Sequence, residues 1–210
     1  GYVAYKLKKE KNIDYIVAVR NTDANVFFKK MIHLRKIGVE IMKNAKKVIF
    51  ISSKYKETVI ENYIPKELQE EIKLKSVVIP NGIDKFLFDN INMKNKLFEN
   101  KDINLIYVGR LVKNKNIETS LKVVKKLNSL GYNVSFDIIG DGPYMNSIKA
   151  IVEKDYKDNV VLHGFKNKEE IIKLYRKSDI FIMPSKYETF GLVYIEALTQ
   201  GLPLIYTRNQ

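Results

Sequence analysis

Two glutamates with seven residues between them, Glu188 and Glu196, lie in the segment from Pro184 to Ile205. Glu188 precedes a stretch with helical spacing and Glu196 lies two turns into it, which would separate the carboxylates by about 12 Å. Carboxylate pairs that hydrolyse glycosides lie about 5 to 9.5 Å apart, so a couple of that kind is disfavoured. We therefore expect the two glutamates to accept hydroxyl hydrogen bonds at opposite ends of one ligand.

The spacing by itself favours two solvated acids, one in a loop and one on an exposed helix face, because two glutamates eight residues apart are common on helices. The surroundings of Glu196 favour a binding role, because its neighbours Ile195, Ala197 and Leu198 are apolar and an unpaired carboxylate among such residues is costly.

The turn before Glu196 also predicts an anion site. The segment 179–184 (DIFIMP) has the pattern of a buried strand and a helix follows it, so the turn lies at the carboxyl end of a parallel sheet, where such sheets bind ligands. With Thr189 as the predicted N-cap, the N–H groups of Phe190, Gly191 and Leu192 would be unpaired. Unpaired amides at a helix start suit a phosphate.

Two cations follow another predicted strand, in the sequence VGRLVKNKN from Val108 to Asn116. Gly109 ends the strand, and Arg110 and Lys115 would both point into the same crevice. Two cations there would neutralise a diphosphate as it departs. The alternative is that both are ordinary surface residues of a loop.

A third glycine turn, IIGDGP, contains Gly140 and Gly142. It fails as a dinucleotide fingerprint because Met145 stands where the third glycine belongs. We interpret it as a tight turn that lines the same crevice. His163, at the end of the strand VVLHG, is interpreted as structural, since it lacks the partners of a catalytic triad.

Composition narrows the classes of protein further. The chain has 210 residues, no cysteine and a net charge of +13. The absence of cysteine excludes disulfides and cysteine-ligated metals, and no apolar run reaches the length of a membrane span. The positive charge fits an acidic partner such as a nucleic acid, an anionic membrane surface or a phosphorylated substrate, but an AT-rich coding bias toward lysine explains it better.

Apolar runs alternate with amphipathic stretches along the chain, which predicts an α/β fold with parallel sheets. We expect a partial Rossmann-like N-terminal domain over 1–84, a linker over 85–100 around a weakly patterned stretch, and a Rossmann-like nucleotide-sugar-binding domain over 101–210.

The motifs VIPNGID, VGRLVKNKN, IIGDGP, VVLHGF and SDIFIMPSKYETFGLVYIEALTQGLPLI, in this order, resemble those of the glycosyltransferases of family 4, which have the GT-B fold. The pair Glu188 and Glu196 resembles the E-x7-E motif of that family. The resemblance is specific over residues 78–206 and weaker over 15–53.

The resemblance implies retaining transfer of a sugar from a nucleotide donor, with no metal bound by the protein and no cofactor besides a UDP- or GDP-sugar as co-substrate. It implies that Arg110 and Lys115 stabilise the leaving diphosphate, that Glu188 contacts the transferred sugar and that Glu196 binds the ribose. Phe165 would lie where the family holds the nucleobase. The predicted donor-binding residues are Gly109, Gly140, Gly142, Phe165, Thr189, Phe190, Gly191, Leu192 and Glu196.

The expected function is transfer of the sugar to a glycan or lipid-linked acceptor in the synthesis of a bacterial cell-surface polysaccharide. The expected location is the cytoplasm, with peripheral association at the inner face of the membrane. A non-catalytic nucleotide-sugar-binding domain is the alternative, and a nucleic-acid binder is disfavoured because no nucleic-acid module is recognised. We expect the 210 residues to be the middle of a longer enzyme, with little or no transfer activity on their own.

Overall fold

The computed structural model describes residues 1–20, 28, 31–93, 101–188 and 190–208. They form two compact units, Gly1–Asn81 and Gly82–Gln210. Both units combine parallel strands with helices, so the predicted α/β class is confirmed. The segment treated above as a linker contains a short helix, Lys85–Asp89, and the structure assigns residues from Gly82 onward to the second unit.

The first unit has a three-stranded sheet covered by helices. Its elements are α1 (Tyr2–Lys11), β1 (Ile16–Val19), α2 (Ile32–Asn44), β2 (Lys47–Phe50), α3 (Ser53–Tyr63), α4 (Lys66–Lys75) and β3 (Ser76–Val78). All strands are parallel, and β2 lies between β1 and β3. The central strand is the most buried of the three, with Val48 and Phe50 fully enclosed.

Two helices, α3 and α4, occupy the stretch 54–74. Pro65 separates them: Ile64 adopts an extended conformation and Pro65 takes the N-cap position of α4. A residue before proline is pushed out of the helical region by contact with the proline ring. Ser52 begins α3 with a side-chain cap to the N–H of Tyr55.

A cavity of about 540 Å³ lies in the first unit, between β1 and α2. Its walls are mainly apolar side chains such as Val17, Ile37 and Met42. Such mainly apolar walls are poorly suited to a diphosphate, which needs several hydrogen-bond donors or cations.

The second unit has five parallel strands with helices between them. Its elements are α5 (Lys85–Asp89), β4 (Asp102–Val108), a 3₁₀ turn (Lys113–Lys115), α6 (Ile117–Ser129), β5 (Asn133–Ile139), α7 (Met145–Asp155), β6 (Val160–Gly164), α8 (Lys168–Lys177), β7 (Ile180–Met183), α9 (Leu192–Thr199) and β8 (Leu204–Tyr206). The strands predicted from apolar runs are all present. In α8, Asn167 and Glu170 form a capping box that fixes the helix start.

The strand order of this sheet is β6-β5-β4-β7-β8. The chain therefore runs outward from β4 to one edge through β5 and β6, and then returns to the other side of β4 with β7. The gap between β4 and β7 is the topological switch point, where open α/β sheets bind ligands beyond the carboxyl ends of the strands. The core beneath it is tightly filled by Tyr107, Phe136 and Phe181.

The segment that follows residue 82 packs onto the last two helices. The carbonyl oxygen of Asn90 accepts hydrogen bonds from Arg176 Nη2 and Gln200 Nε2, each at 3.0 Å. The N–H of Asn92 donates to the carbonyl oxygen of Thr199 at 2.8 Å. These bonds fix the segment against α8 and α9. No helix among the residues described above is long and apolar enough to cross a membrane.

Candidate functional site

The two loops that follow β4 and β7 are joined across the switch point. Asn114 Nδ2 donates to the carbonyl oxygen of Tyr187 at 2.7 Å, and the N–H of Lys186 donates to the carbonyl oxygen of Asn114 at 2.8 Å. Asn116 Nδ2 donates to the carbonyl oxygen of Pro184 at 3.1 Å. The structure thus brings together the two segments that carry the predicted cations and the first predicted glutamate.

Lys115 and Glu188 form an ion pair at the centre of this junction. Each side chain is only 18% exposed, so the pair is largely sheltered from solvent. Sequence reasoning predicted both residues for one site but assigned them to different parts of the ligand, and it gave no sign that they contact each other. The asparagines that hold the loops together, Asn114 and Asn116, were missed, because only the fold shows what their amides reach.

Arg110 lies on the loop after β4, the same loop that carries Lys115. Its side chain is exposed and forms no hydrogen bond or ion pair with another residue in the described part of the chain. Its carbonyl oxygen is held by the Tyr107 hydroxyl at 3.0 Å. Burial, with a smaller contribution from the Glu188 carboxylate, raises the pKa of Tyr107 well above its usual range, so this hydroxyl stays protonated. A fixed backbone with an unengaged guanidinium suits recognition of an anion.

The glycines of this region are required by the close packing of two loops. A Cβ at Gly140 would lie 1.9 Å from the carbonyl oxygen of Gly109, and a Cβ at Gly142 would lie 2.3 Å from that of Leu111. The N–H of Leu111 donates to the carbonyl oxygen of Asp141 at 2.9 Å. The turn IIGDGP therefore supports the loop that carries Arg110, and direct contact of its glycines with a donor stays a prediction.

Helix α9 begins later than predicted. Its N-cap is Gly191 and its first helical residue is Leu192, whereas the sequence suggested Thr189, which lies outside the described residues. Gly191 has a φ of 71°, and a Cβ there would lie 2.4 Å from the Tyr194 ring and 3.1 Å from Glu188 Cγ. Glycine is needed because this left-handed turn directs the chain into the helix past two packed side chains.

The later start changes which amides a phosphate would meet. Phe190 and Gly191 precede the helix, and the N–H of Tyr194 is already bonded to the carbonyl oxygen of Gly191 at 3.0 Å. The Tyr194 hydroxyl donates to the carbonyl oxygen of Met183 at 2.7 Å and so ties α9 to the end of β7. Leu192 and Val193 are the remaining first-turn amides.

Glu196 is half-buried on α9, and no hydrogen bond or ion pair joins its carboxylate to another described residue. Burial raises the pKa of Glu196, Lys168 opposes that rise and Asp84 adds to it. Lys168 and Asp84 form an ion pair with each other. Neither was predicted from the sequence, since they lie 84 residues apart and neither belongs to a catalytic pattern.

The remaining predicted residues lie toward the edge of the sheet. Phe165 follows β6, and its side chain is 82% exposed. The carbonyl oxygen of Gly164 accepts a hydrogen bond from the N–H of Gly140 at 2.8 Å, so the end of β6 is tied to the loop after β5. His163 Nε2 lies 2.6 Å from Asp137 Oδ1, which agrees with its structural interpretation.

Comparison with known proteins assigns the region that holds this site to a family. The family model described as Glycosyl transferases group 1 matches residues 88–210. The capsular polysaccharide biosynthesis glycosyltransferase CapM of Staphylococcus aureus is 39% identical over 106 residues, which is 48% of this chain and 27% of CapM. An uncharacterised glycosyltransferase of Methanocaldococcus jannaschii is 28% identical over 209 residues, 99% of this chain and 53% of that protein.

Among solved structures, Anabaena HepE in complex with UDP matches 99% of this chain and 57% of its own length, with a TM-score of 0.73 and 16% identity. That likeness shows the fold, which is of the GT-B type. The chain spans about half or less of the length of the curated relatives it matches. Because the family match covers more than half of its residues, the chain belongs to the Glycosyl transferases group 1 family.

Proposed function

We propose that this chain is the donor-binding part of a retaining glycosyltransferase of the family 4 type that uses a UDP- or GDP-sugar. The observation that carries the proposal is the junction of the loops after β4 and β7, which places Lys115 against Glu188 with Arg110 on the same loop as the lysine. Cations and a carboxylate at a switch point fit a ligand that has a diphosphate next to a sugar.

In this proposal Arg110 and Lys115 stabilise the charge that develops on the departing diphosphate, the largest electrostatic requirement of the reaction. Glu188 contacts the transferred sugar, the amides at the start of α9 bind phosphate, and Glu196 accepts hydrogen bonds from the ribose. Phe165 lies beside the nucleobase.

The acceptor is proposed to be a glycan or a lipid-linked saccharide of a cell-surface polysaccharide. The relative named for capsular polysaccharide biosynthesis supports this class. The net charge of +13 supports work at the anionic inner surface of a membrane, with the enzyme in the cytoplasm. Since the matched relatives are longer than the aligned region, sugar transfer is proposed for a longer parent that contains this chain.

The experiment is calorimetric titration of the chain with UDP, GDP and ADP, with Arg110→Ala as the variant. We expect saturable binding of one nucleotide and an affinity at least about tenfold lower in Arg110→Ala, because a charge-assisted hydrogen bond contributes about 1.5 to 3 kcal/mol.

Arg176→Ala is the matched control. Arg176 is in the last turn of α8 and binds Gln200 and the carbonyl oxygen of Asn90, so its loss should lower stability and leave nucleotide affinity unchanged. A folded chain that binds none of the three nucleotides, or an Arg110→Ala variant that binds as tightly as the parent, would contradict the proposal.

A further inference from the structure

The surroundings of Glu196 contain an arrangement of charges that the proposed chemistry does not by itself require. Glu196 is half-buried, and no hydrogen bond or ion pair joins its carboxylate to another of the described residues. The charge of Lys168 lowers the pKa of the Glu196 carboxyl, and the charge of Asp84 raises it. A carboxylate that is partly removed from water normally acquires a cation, so the presence of a lysine that is bonded elsewhere needs an explanation.

Asp84 forms an ion pair with Lys168, and a second hydrogen bond of its carboxylate fixes the orientation of Asp84. One carboxylate oxygen of Asp84, Oδ1, accepts from the N–H of Phe86 at 2.9 Å and caps α5. The other, Oδ2, contacts Lys168 Nζ at the start of α8. Asp84 therefore serves as a fixed anchor, because its orientation is set by the cap.

The segment that carries Asp84 is itself fixed against α9, the helix of Glu196. The short helix α5 packs on α9, and the bond from the N–H of Asn92 to the carbonyl oxygen of Thr199, 2.8 Å long, joins the end of this segment to the end of α9. The three charged groups thus belong to three elements of the second unit that are held together by hydrogen bonds and packing.

We propose that Asp84 is a positioning residue: by binding Lys168 it keeps the Glu196 carboxylate unpaired, so that both its oxygens can accept hydrogen bonds from the ribose hydroxyls of a bound nucleotide. The inference rests on the proposed function, which assigns the ribose to Glu196. An ammonium bonded to Glu196 would compete directly with neutral hydroxyl donors, because a charge-assisted bond is about twice as strong as a neutral one.

The test is Asp84→Asn. Asparagine is as good an N-cap as aspartate, so this variant retains the start of α5 and removes only the charge that holds Lys168. Asp89→Asn is the matched control, because Asp89 is on the same helix and forms an exposed ion pair with Lys85 at 2.6 Å. The ligands are the nucleoside diphosphate that binds best among UDP, GDP and ADP, and its 2′,3′-dideoxy analogue.

We expect the parent chain to bind the natural nucleotide about tenfold more tightly than the dideoxy analogue, the ratio for one hydrogen bond to a charged group. In Asp84→Asn, affinity for the natural nucleotide should fall about tenfold while affinity for the analogue stays within about twofold. A general structural defect would weaken both ligands, so the loss of discrimination is specific to the positioning role. Asp89→Asn should behave like the parent.

The double variant Asp84→Asn with Lys168→Gln should regain the affinity and the discrimination of the parent, because no lysine is left to occupy Glu196. If the double variant stays as weak as Asp84→Asn, or if Asp84→Asn discriminates like the parent, the inference is overturned while nucleotide binding stands. A parent chain that binds none of the nucleotides overturns this inference together with the proposed function.

Discussion

The contact between Lys115 and Glu188 leads to an unusual expectation: neutralising a predicted catalytic residue should strengthen binding of the product nucleotide. In Glu188→Gln, Lys115 keeps a hydrogen-bond acceptor but no longer faces a carboxylate. A nucleoside diphosphate without its sugar gains nothing from Glu188 and is repelled by its charge, so the variant should bind it more tightly.

The magnitude follows from the geometry of the pair. A lysine ammonium that contacts both Glu188 and a phosphate holds the two negative charges about 5 Å apart, where they repel by about 1.5 kcal/mol at an effective dielectric constant near 40 and about 3 kcal/mol near 20. Because both side chains are 18% exposed, solvent screens the repulsion only in part. The smaller figure already corresponds to about a tenfold tighter affinity.

The assay is calorimetric titration of the parent and of Glu188→Gln with the preferred nucleoside diphosphate at low and at high salt. Glu153→Gln is the matched control, since it changes the net charge equally at an exposed surface pair with Lys149. In a longer parent with transfer activity, Glu188→Gln should lose transfer while it gains product affinity. Equal or weaker nucleotide binding by Glu188→Gln would refute the placement of a phosphate at Lys115.

Two further predictions concern stability. Burial raises the pKa of Glu196, so the folded state binds this proton more firmly than the unfolded state, and the stability that the proton contributes is lost as pH rises from about 4.5 through the folded-state pKa. Glu196→Gln should therefore raise the melting temperature by about 2 °C at pH 7, and this gain should disappear below about pH 4. A gain that is independent of pH would exclude this explanation. Gly140→Ala should lower the free energy of unfolding by about 3 kcal/mol in denaturant titration, because its Cβ would lie 1.9 Å from the Gly109 carbonyl oxygen and its φ of +132° is unfavourable for alanine. Gly82→Ala should change the free energy of unfolding little, because a Cβ there has no neighbour within 4 Å. Equal losses in the two variants would contradict the steric argument.

Much of the fold could be predicted from local patterns in the sequence. Strands buried on both faces appear as short apolar runs, and every such run in the second unit is a strand of the parallel sheet. The start of α9 was misplaced, since the left-handed turn at its N-cap Gly191 depends on backbone geometry that competes with a helical pattern. The helix Lys85–Asp89 was not expected, because five residues are too few to show a period.

The sequence by itself determined which residues could bind a ligand or take part in catalysis. They are the carboxylates Glu188 and Glu196, the cations Arg110 and Lys115, and the glycine turns that follow the strands. Residue type and the nearest neighbours in the chain are sufficient for that, because strand burial and turn conformation are local properties.

Only the tertiary structure decided how those residues are paired. The strand order places β7 beside β4 and so brings Glu188 to Lys115 across 73 residues of chain. The packing of α5 on α9 accompanies the contact of Asp84 with Lys168, which spans 84 residues. Such contacts depend on how separate elements pack, and no local pattern in the sequence specifies them, because each partner is a common charged residue whose own neighbours are unremarkable.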